Sequence, residues 1–364
     1  MKICFVAPAN NYHTKKWAGW FSSHGHEVHV ISFTKSEIPN VSVHYINTGA
    51  EANASYLKKL NYLRNGKEIR NLIKMIKPDI INAHYATSYG TAMALSKVHP
   101  YIVSLWGSDV YDFPQKNIFY KKMLEYCLKK ADYLFSTSKA MAQEASKYTD
   151  KKCYITPFGV DMNLFNPNKR VRKNDGKFII GTVKALNPKY GIDTLLKAAA
   201  IVFQEHPEYK LEVRIAGRGE DADNLKKLAK NLKINSIVKW LGFISQEEAA
   251  NEWANMDIGV TSSSSSESFG VSAVECQACQ VPIIISDVPG LKEATNPGES
   301  SIVVSRKDAR ALADAIEKLH DDPNLRKKMG ENGRKYISNN YEIDDCFRNV
   351  ENIFLTIIKE NVSC

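Results

Sequence analysis

At 364 residues the chain is longer than one hydrophobic core usually fills, so two domains are expected. Hydrophobic residues make up 44% and charged residues 24%, proportions that exclude a disordered or low-complexity chain. The net charge of +9 is unevenly placed: residues 1–170 hold 23 Lys and Arg against 12 Asp and Glu, while residues 171–364 hold 26 against 28. The opening MKICFVAPANNYH has only Ile3 to Ala7 as an apolar run, too short for a signal-peptide core or a bilayer span. Seven scattered cysteines give no disulfide framework and point to a reducing cytoplasm. Cys276 and Cys279 form one CxxC with no second pair to complete a zinc site, and read as small buried residues.

In chain order, the first strands are KICFVAP, EVHVISF, VSVHYI, DIINAHY, YIVSLW, DYLFSTS and CYITPF, each short, rich in Val, Ile and Tyr, and bounded by turn residues. Between them, YLKKLNYLRNGKEIRNLIKMIK (Tyr56 to Lys77) and QKNIFYKKMLEYCLKK (Gln115 to Lys130) interleave lysines with apolar residues and hold much of the first half's charge. Such segments suit an anionic acceptor or an anionic membrane surface, with peripheral attachment to the inner face of the cell membrane. Solvated helix faces explain the same pattern, and nothing points to nucleic acid.

The polar stretch NLFNPNKRVRKNDGK (Asn163 to Lys177) lacks an apolar period and reads as a linker, giving domains over 1–165 and 166–342. The strand pattern then restarts with FIIGTV, LEVRIAG, VKWLGF, IGVTSS, VPIIISD and SIVVS. After Ser305 the chain becomes helical, ending in an apolar-periodic helix from about Ile343 to Ile358. Strands alternating with helices give an α/β fold with two Rossmann-like, doubly wound parallel sheets. Such sheets bind ligands beyond the C-terminal ends of their strands, so the two domains are expected to face an interdomain cleft.

One such strand end is SSSSSESFGVSAVECQAC, from Ser262, in which five serines lead into a helix bearing Glu275, with Glu267 at its start. A helix start presents unpaired N–H groups, so the backbone at Ser268, Phe269, Gly270 and Val271 suits a phosphate. Glu267 and Glu275, if on one helix, stand about 12 Å apart along its axis and suit the two ends of an extended ligand such as a nucleotide sugar. A dipole-favoured glutamate and an unrelated one would look the same. Lys184 and Lys189, in the loop of GTVKALNPKYGIDTLLKA, are placed to neutralise a diphosphate. AGRGED sets Gly217 in a tight turn after a strand, and WLGFIS offers Phe243 to a flat base.

Taken together these residues resemble the retaining family-four glycosyltransferases of the GT-B fold. The likeness rests on the Glu-x7-Glu spacing of Glu267 and Glu275 around SFG, the basic pair Lys184 and Lys189, and PFGVDMNLF, and extends through AGRGED, WLGF, DVPGLKEA and the closing helices. The resemblance implies an N-terminal acceptor domain, to which the helix over 343–364 crosses back, and a C-terminal nucleotide-sugar domain. It also implies transfer of a hexosyl group, with retention, from a nucleoside diphosphate sugar (UDP ahead of GDP) to an acceptor hydroxyl. The basic, aromatic N-terminal segments favour a lipid-linked or polyanionic acceptor of cell-surface polysaccharide or glycolipid synthesis, with a small thiol-precursor acceptor in the cytosol as the alternative. Glu275 would hold the ribose, Glu267 the transferred sugar, the lysines the diphosphate, and Phe243 with its neighbours the base.

Departures from the family pattern are a lysine at 184 where arginine is common, NNYHTKKW in place of a glycine-rich first loop, and SLWGSD, which puts Trp106 where a sugar-contacting histidine is common. Asp109, His13 or His84 are the candidates to take up that work on the acceptor or sugar side. The only Asp-x-Asp, Asp221 and Asp223, reads as a helix cap, so no metal or other cofactor is expected. Two rivals remain: a nucleotide-sugar epimerase of the same fold, and a basic membrane-surface protein without catalysis.

Overall fold

The computed structural model describes residues 1–48, 64–172 and 176–362. It divides into two compact units, one of residues 1–158 together with the closing segment from Asp344, the other of residues 159–343. Of the basic segment Tyr56 to Lys77, residues 56–63 lie outside the described residues, as do residues 173–175 of the linker segment.

The first unit is built on β1 (Lys2–Val6), β2 (Glu27–Ser32), β3 (Ser42–Tyr45), β4 (Ile80–His84), β5 (Ile102–Leu105), β6 (Tyr133–Ser136) and β7 (Cys153–Ile155). These pair in the order β3-β2-β1-β4-β5-β6-β7, every ladder parallel. The second holds β8 (Phe178–Val183), β9 (Leu211–Ala216), β10 (Val238–Gly242), β11 (Ile258–Thr261), β12 (Ile283–Ser286) and β13 (Ser301–Val304), all parallel in the order β10-β9-β8-β11-β12-β13. Helices cover both faces, so the central strands are buried, β4, β5, β11 and β12 at every residue, and are largely apolar apart from buried polar residues such as Asn82, His84 and Ser104. In the second unit, for instance, the helix Ile192–Glu205 turns Leu195, Ala199 and Val202 into one core with Ile180, Val213 and Ile258.

The closing helix, Ile343–Val362, packs on the helix Tyr12–Ser23 of the first unit. Phe347 stacks on Trp20 at 5.3 Å, Phe354 on Phe21 at 5.5 Å, and both phenylalanines are fully buried. Trp20 Nε1 donates to Asp344 at 2.7 Å, and His26 meets Glu351 at 2.8 Å. Removing either phenylalanine would leave a cavity costing about 3–5 kcal/mol.

Two local expectations need correction. The segment from Asn163 is a fastened strap where its described residues run. Asn255 Oδ1 accepts from the N–H groups of Val171 and Arg172 at 3.1 and 3.0 Å. Arg170 and Arg172 reach Asp257 at 3.0 and 2.7 Å, and Lys169 pairs with Glu247. Polar composition looked like a linker because these partners lie more than 75 residues away. Asp221 does precede the helix Ala222–Asn231, but its side chain makes no cap bond; Asn224 donates to it at 3.0 Å instead.

Candidate functional site

In the second unit β8 and β11 are neighbours from which the chain winds outward in opposite directions, so the loops after them flank the topological switch point. Lys184 follows β8 directly, and Lys189 lies in a 3₁₀ turn, Pro188–Tyr190, capped by Asn187. Glu267 lies in the loop after β11 and is nearly buried. Lys184 Nζ meets Glu267 Oε1 at 2.5 Å, and Ser263 Oγ lies 3.1 Å from Oε2. Tyr190 lies between the lysines, its ring centre 4.4 Å from the Lys184 ammonium and 5.2 Å from that of Lys189. Each ammonium gains a modest cation–π attraction to the ring, which keeps both lysines near it.

The serines explain why the two loops meet. Ser262 Oγ donates to Gly191 O at 2.7 Å, Ser264 N donates to Lys189 O at 2.8 Å, and Ser264 Oγ reaches Pro188 O and Lys189 O at 3.2 Å. Short side chains that donate to backbone carbonyls let one loop lie flat on the other. Gly191, at φ 63°, completes the contact: a Cβ there would stand 1.9 Å from Ser262 O.

The helix that follows is Val271–Ala278, with Gly270 at the N-cap in the left-handed region. Glu267 therefore lies ahead of the helix, so the 12 Å spacing drawn from helical rise does not apply. Glu275 is buried within the helix, in which every residue but Val271 is buried. Among the described residues the N–H groups of Gly270 and Val271 have no acceptor, as expected at an uncapped helix start. Ser268 lies in the same loop, and Phe269 puts its ring in the core against Tyr341 at 5.1 Å.

The N–H of Gly217, expected to face the donor, is taken up within the chain. It donates to Gly242 O at 2.6 Å, and a Cβ on Gly217 would meet Lys184 O at 1.9 Å, so the missing side chain serves chain-to-chain approach. The neighbouring Phe243 is 68% exposed, with the Arg218 guanidinium 4.5 Å from its ring centre, an open platform.

In the first unit β1 and β4 flank the corresponding switch point, and the residues beyond them are of another kind. His84 closes β4, fully buried between Phe5, Trp17 and Trp106, with ring centres 4.3 to 5.3 Å away. His13, in the first turn of a helix capped by Asn11, stacks on Phe158 at 3.9 Å and meets Trp106 edge-on at 5.7 Å. Burial pushes both imidazoles down to about 3, helped at His13 by the Lys16 charge and at His84 by His13, so both are neutral at pH 7. Among the described residues His84 Nδ1 and Nε2, His13 Nδ1 and the indole Nε1 of Trp17 and Trp106 have no hydrogen-bond partner.

Asp109 is 1% exposed and its carboxylate is taken up by backbone: Ala86 N at 3.0 Å, Gly107 N at 2.8 Å and Trp106 N at 3.2 Å. Burial raises its pKa, and these donors oppose the rise. It ties the turn after β5 to the π-helix Tyr85–Gly90 that follows β4, so its carboxylate, expected from the sequence to be catalytic, is engaged in holding backbone.

The structure thus brings Lys184, Lys189 and Glu267 together, and separately His13, His84 and Trp106. Sequence reasoning missed Tyr190, Ser262 to Ser264 and Phe158. Tyr190 directly follows Lys189, but an aromatic beside a lysine is too common to single out.

Comparison with known proteins agrees with this geometry. Residues 166–336 match the family "Glycosyl transferases group 1" and residues 2–138 match "Glycosyl transferase 4-like". An uncharacterized glycosyltransferase of Methanocaldococcus jannaschii is 27% identical over 342 residues, 90% of this chain and 89% of that protein. The D-inositol 3-phosphate glycosyltransferase of Pseudarthrobacter chlorophenolicus is 32% identical over 210 residues, 55% of this chain, which spans only half the length of that relative. Among solved structures, sucrose-phosphate synthase of Thermosynechococcus elongatus superposes with a TM-score of 0.87 at 17% identity, covering 99% of this chain and 100% of the other. HepE of Anabaena, in complex with UDP and glucose, superposes with a TM-score of 0.77 at 16% identity over 97% of this chain and 99% of its own. Two parallel α/β units, the charged pair of loops at a switch point and a family match in each half lead to one assignment: the chain belongs to the glycosyltransferases of the GT-B fold.

Proposed function

We propose that the protein moves a hexosyl group from a UDP-sugar to an acceptor hydroxyl with retained configuration and without a metal ion. The observation that carries this reading is the contact of Lys184 with Glu267, beside Lys189 and the unpartnered N–H groups of Gly270 and Val271. A diphosphate arriving there meets two ammonium groups and a helix start, which stabilise the charge that builds on the leaving group. It competes with Glu267 for Lys184, freeing Oε1 to accept from a hydroxyl of the transferred sugar while Ser263 steadies Oε2. Glu275 is assigned to the ribose and the exposed ring of Phe243 to the base. UDP is favoured because a protein of this fold holds UDP and glucose.

His13, His84 and Trp106 are assigned to the acceptor or sugar side, where neutral imidazoles and indole N–H groups offer uncharged hydrogen bonds. For the acceptor, a lipid-linked or anionic compound of surface polysaccharide or glycolipid synthesis fits the exposed Ile118 and Phe119 beside Lys121 and Lys122. No helix among the described residues is long and apolar enough to cross a membrane. The proposal places the protein in the cytoplasm, at the inner membrane face, which the free thiols of the described cysteines support.

The test is to incubate the protein with UDP- and GDP-sugars and candidate lipid-linked acceptors, with chelator present, and to read the anomeric coupling of the product by NMR. An axial-to-axial or equatorial-to-equatorial outcome in chelator supports the reading. Inversion, a metal requirement, or isomerised donor without acceptor overturns it.

A further inference from the structure

At the opposite edge of the second sheet, before β11 and β12, lies a pocket of about 230 Å³ lined by Arg170, Asp257, Pro282, Pro323, Arg326 and Lys327 among others. It is separated from the Lys184 and Glu267 loops by the length of β11, roughly 13 Å for four residues. We propose that this pocket binds a phosphate group, as a phosphomonoester or diphosphate, at a second site distinct from the donor site.

The charge balance argues for it. Asp257 is nearly buried, and its oxygens are already met: Ile179 N donates at 2.8 Å, Arg172 at 2.7 Å and Arg170 at 3.0 Å. Ile179 N and Arg172 both serve Oδ2 and Arg170 serves Oδ1; since Arg172 by itself balances the charge of this carboxylate, Arg170 brings a surplus charge to the rim. Arg326 adds a third guanidinium with no carboxylate of its own. Its Nη1 donates to the carbonyls of Leu319 and His320 at 2.5 and 3.1 Å, and its plane lies 5.2 Å from the Phe178 ring centre. Nε and Nη2 of this half-buried side chain have no acceptor among the described residues.

Lys327 is exposed beside it and, among the described residues, reaches only Glu331, at 3.9 Å. The remaining nearby carboxylate, Asp322, caps the helix Pro323–Tyr341 through Leu325 N at 2.8 Å. In the lining of the pocket, Arg170, Arg326 and Lys327 stand against the one carboxylate of Asp257, which Arg172 also pairs, while Asp322 caps its helix and Glu331 lies 3.9 Å from Lys327. Burial lowers the pKa of Arg326, with Arg170 and Arg172 adding to the drop and Asp257 and Asp322 opposing it, and an anion in the pocket would act in the same sense as those carboxylates. Guanidinium groups are weakly hydrated and fork onto phosphate oxygens, so phosphate is the chemistry that this lining fits.

The site does not depend on the donor reading, and its test keeps the two apart. Inorganic pyrophosphate is titrated calorimetrically into the full chain, into Arg170→Gln/Lys327→Gln, and into Lys189→Gln. Both substituted rim residues are exposed, and the fold of each variant is checked by circular dichroism. Expected is binding that weakens about tenfold or more in Arg170→Gln/Lys327→Gln and persists in Lys189→Gln. Equal affinity in wild type and Arg170→Gln/Lys327→Gln, or no binding to wild type, overturns the proposal. Sedimentation with phosphatidic acid vesicles, against phosphatidylcholine alone, then separates the sources. Vesicle binding lost in the rim variant identifies a lipid headgroup, and pyrophosphate binding without vesicle binding identifies a free phosphate.

Discussion

Beyond β8 and β11 the second unit sets two ammonium groups and a carboxylate around one tyrosine, whereas beyond β1, β4 and β5 the first unit sets two neutral histidines among tryptophan and phenylalanine rings. Both places are strand ends flanking a switch point, so the fold supplies the same geometry twice. The chemistry differs because of what each loop is anchored to. In the second unit serine hydroxyls join loop to loop through backbone, leaving charged side chains to face each other. In the first, the one carboxylate is consumed by backbone N–H groups, and burial strips the histidines of charge. A strand end thus carries charged or uncharged groups according to whether its titratable side chains keep charged partners.

The sharpest way to break this contrast is at Glu267. Glu267→Ala should lower turnover about 10²–10³-fold, the scale of losing one well-placed stabilising group, with UDP affinity changed less than about threefold. Glu275→Ala should do the reverse, weakening UDP in calorimetry. Unaltered kinetics and binding in both would remove the second unit's half of the comparison.

Asp109→Ala tests the first unit. Three backbone N–H groups would lose their acceptor, so the unfolding free energy should drop by roughly 2–4 kcal/mol, with UDP affinity intact. A large loss of UDP binding at full stability would show that Asp109 does more than hold loops.

The pH dependence sharpens the same point. His13 and His84 titrate near 3 when folded and near 6.5 when unfolded, so between those values the unfolded chain binds more protons. Stability is therefore complete above pH 6.5 and declines as pH falls towards 3, by up to roughly 1.4 kcal/mol per pH unit for each histidine. Urea unfolding at pH 7, 6 and 5 should show this slope, and His84→Phe should flatten it; identical slopes would mean that His84 is not held neutral. The smallest effect is expected for Ser262→Ala, about 1 kcal/mol for one hydroxyl-to-carbonyl bond, read as a lowered Tm with a raised KM for donor as the lysine loop loosens.

Much of this was legible in the sequence. The thirteen strands of the described residues stand where short β-type runs lie, and the central ones are plainest, because a strand covered on both faces has few polar positions to blur the pattern. Lys184, Lys189 and Glu267 stood out as charges at strand ends. Their contact did not, since it joins residues 83 positions apart. The close approach of the Lys184 carbonyl to Gly217 was not legible, because a glycine turn after a strand looks the same whatever approaches it. The engagement of Asp109 with backbone was not legible either, because its most telling partner, Ala86 N, lies in another element.

By itself, then, the sequence determined which segments are strands and helices, that they alternate, and which charges fall at strand ends, because these follow from local periodicity and turn chemistry. Only the tertiary structure decided the strand order that makes β8 and β11 neighbours, the pairing of Lys184 with Glu267, and the neutrality of His13 and His84. Hydrogen-bond pairing and desolvation depend on groups brought together from distant parts of the chain, and no local pattern records which groups those will be.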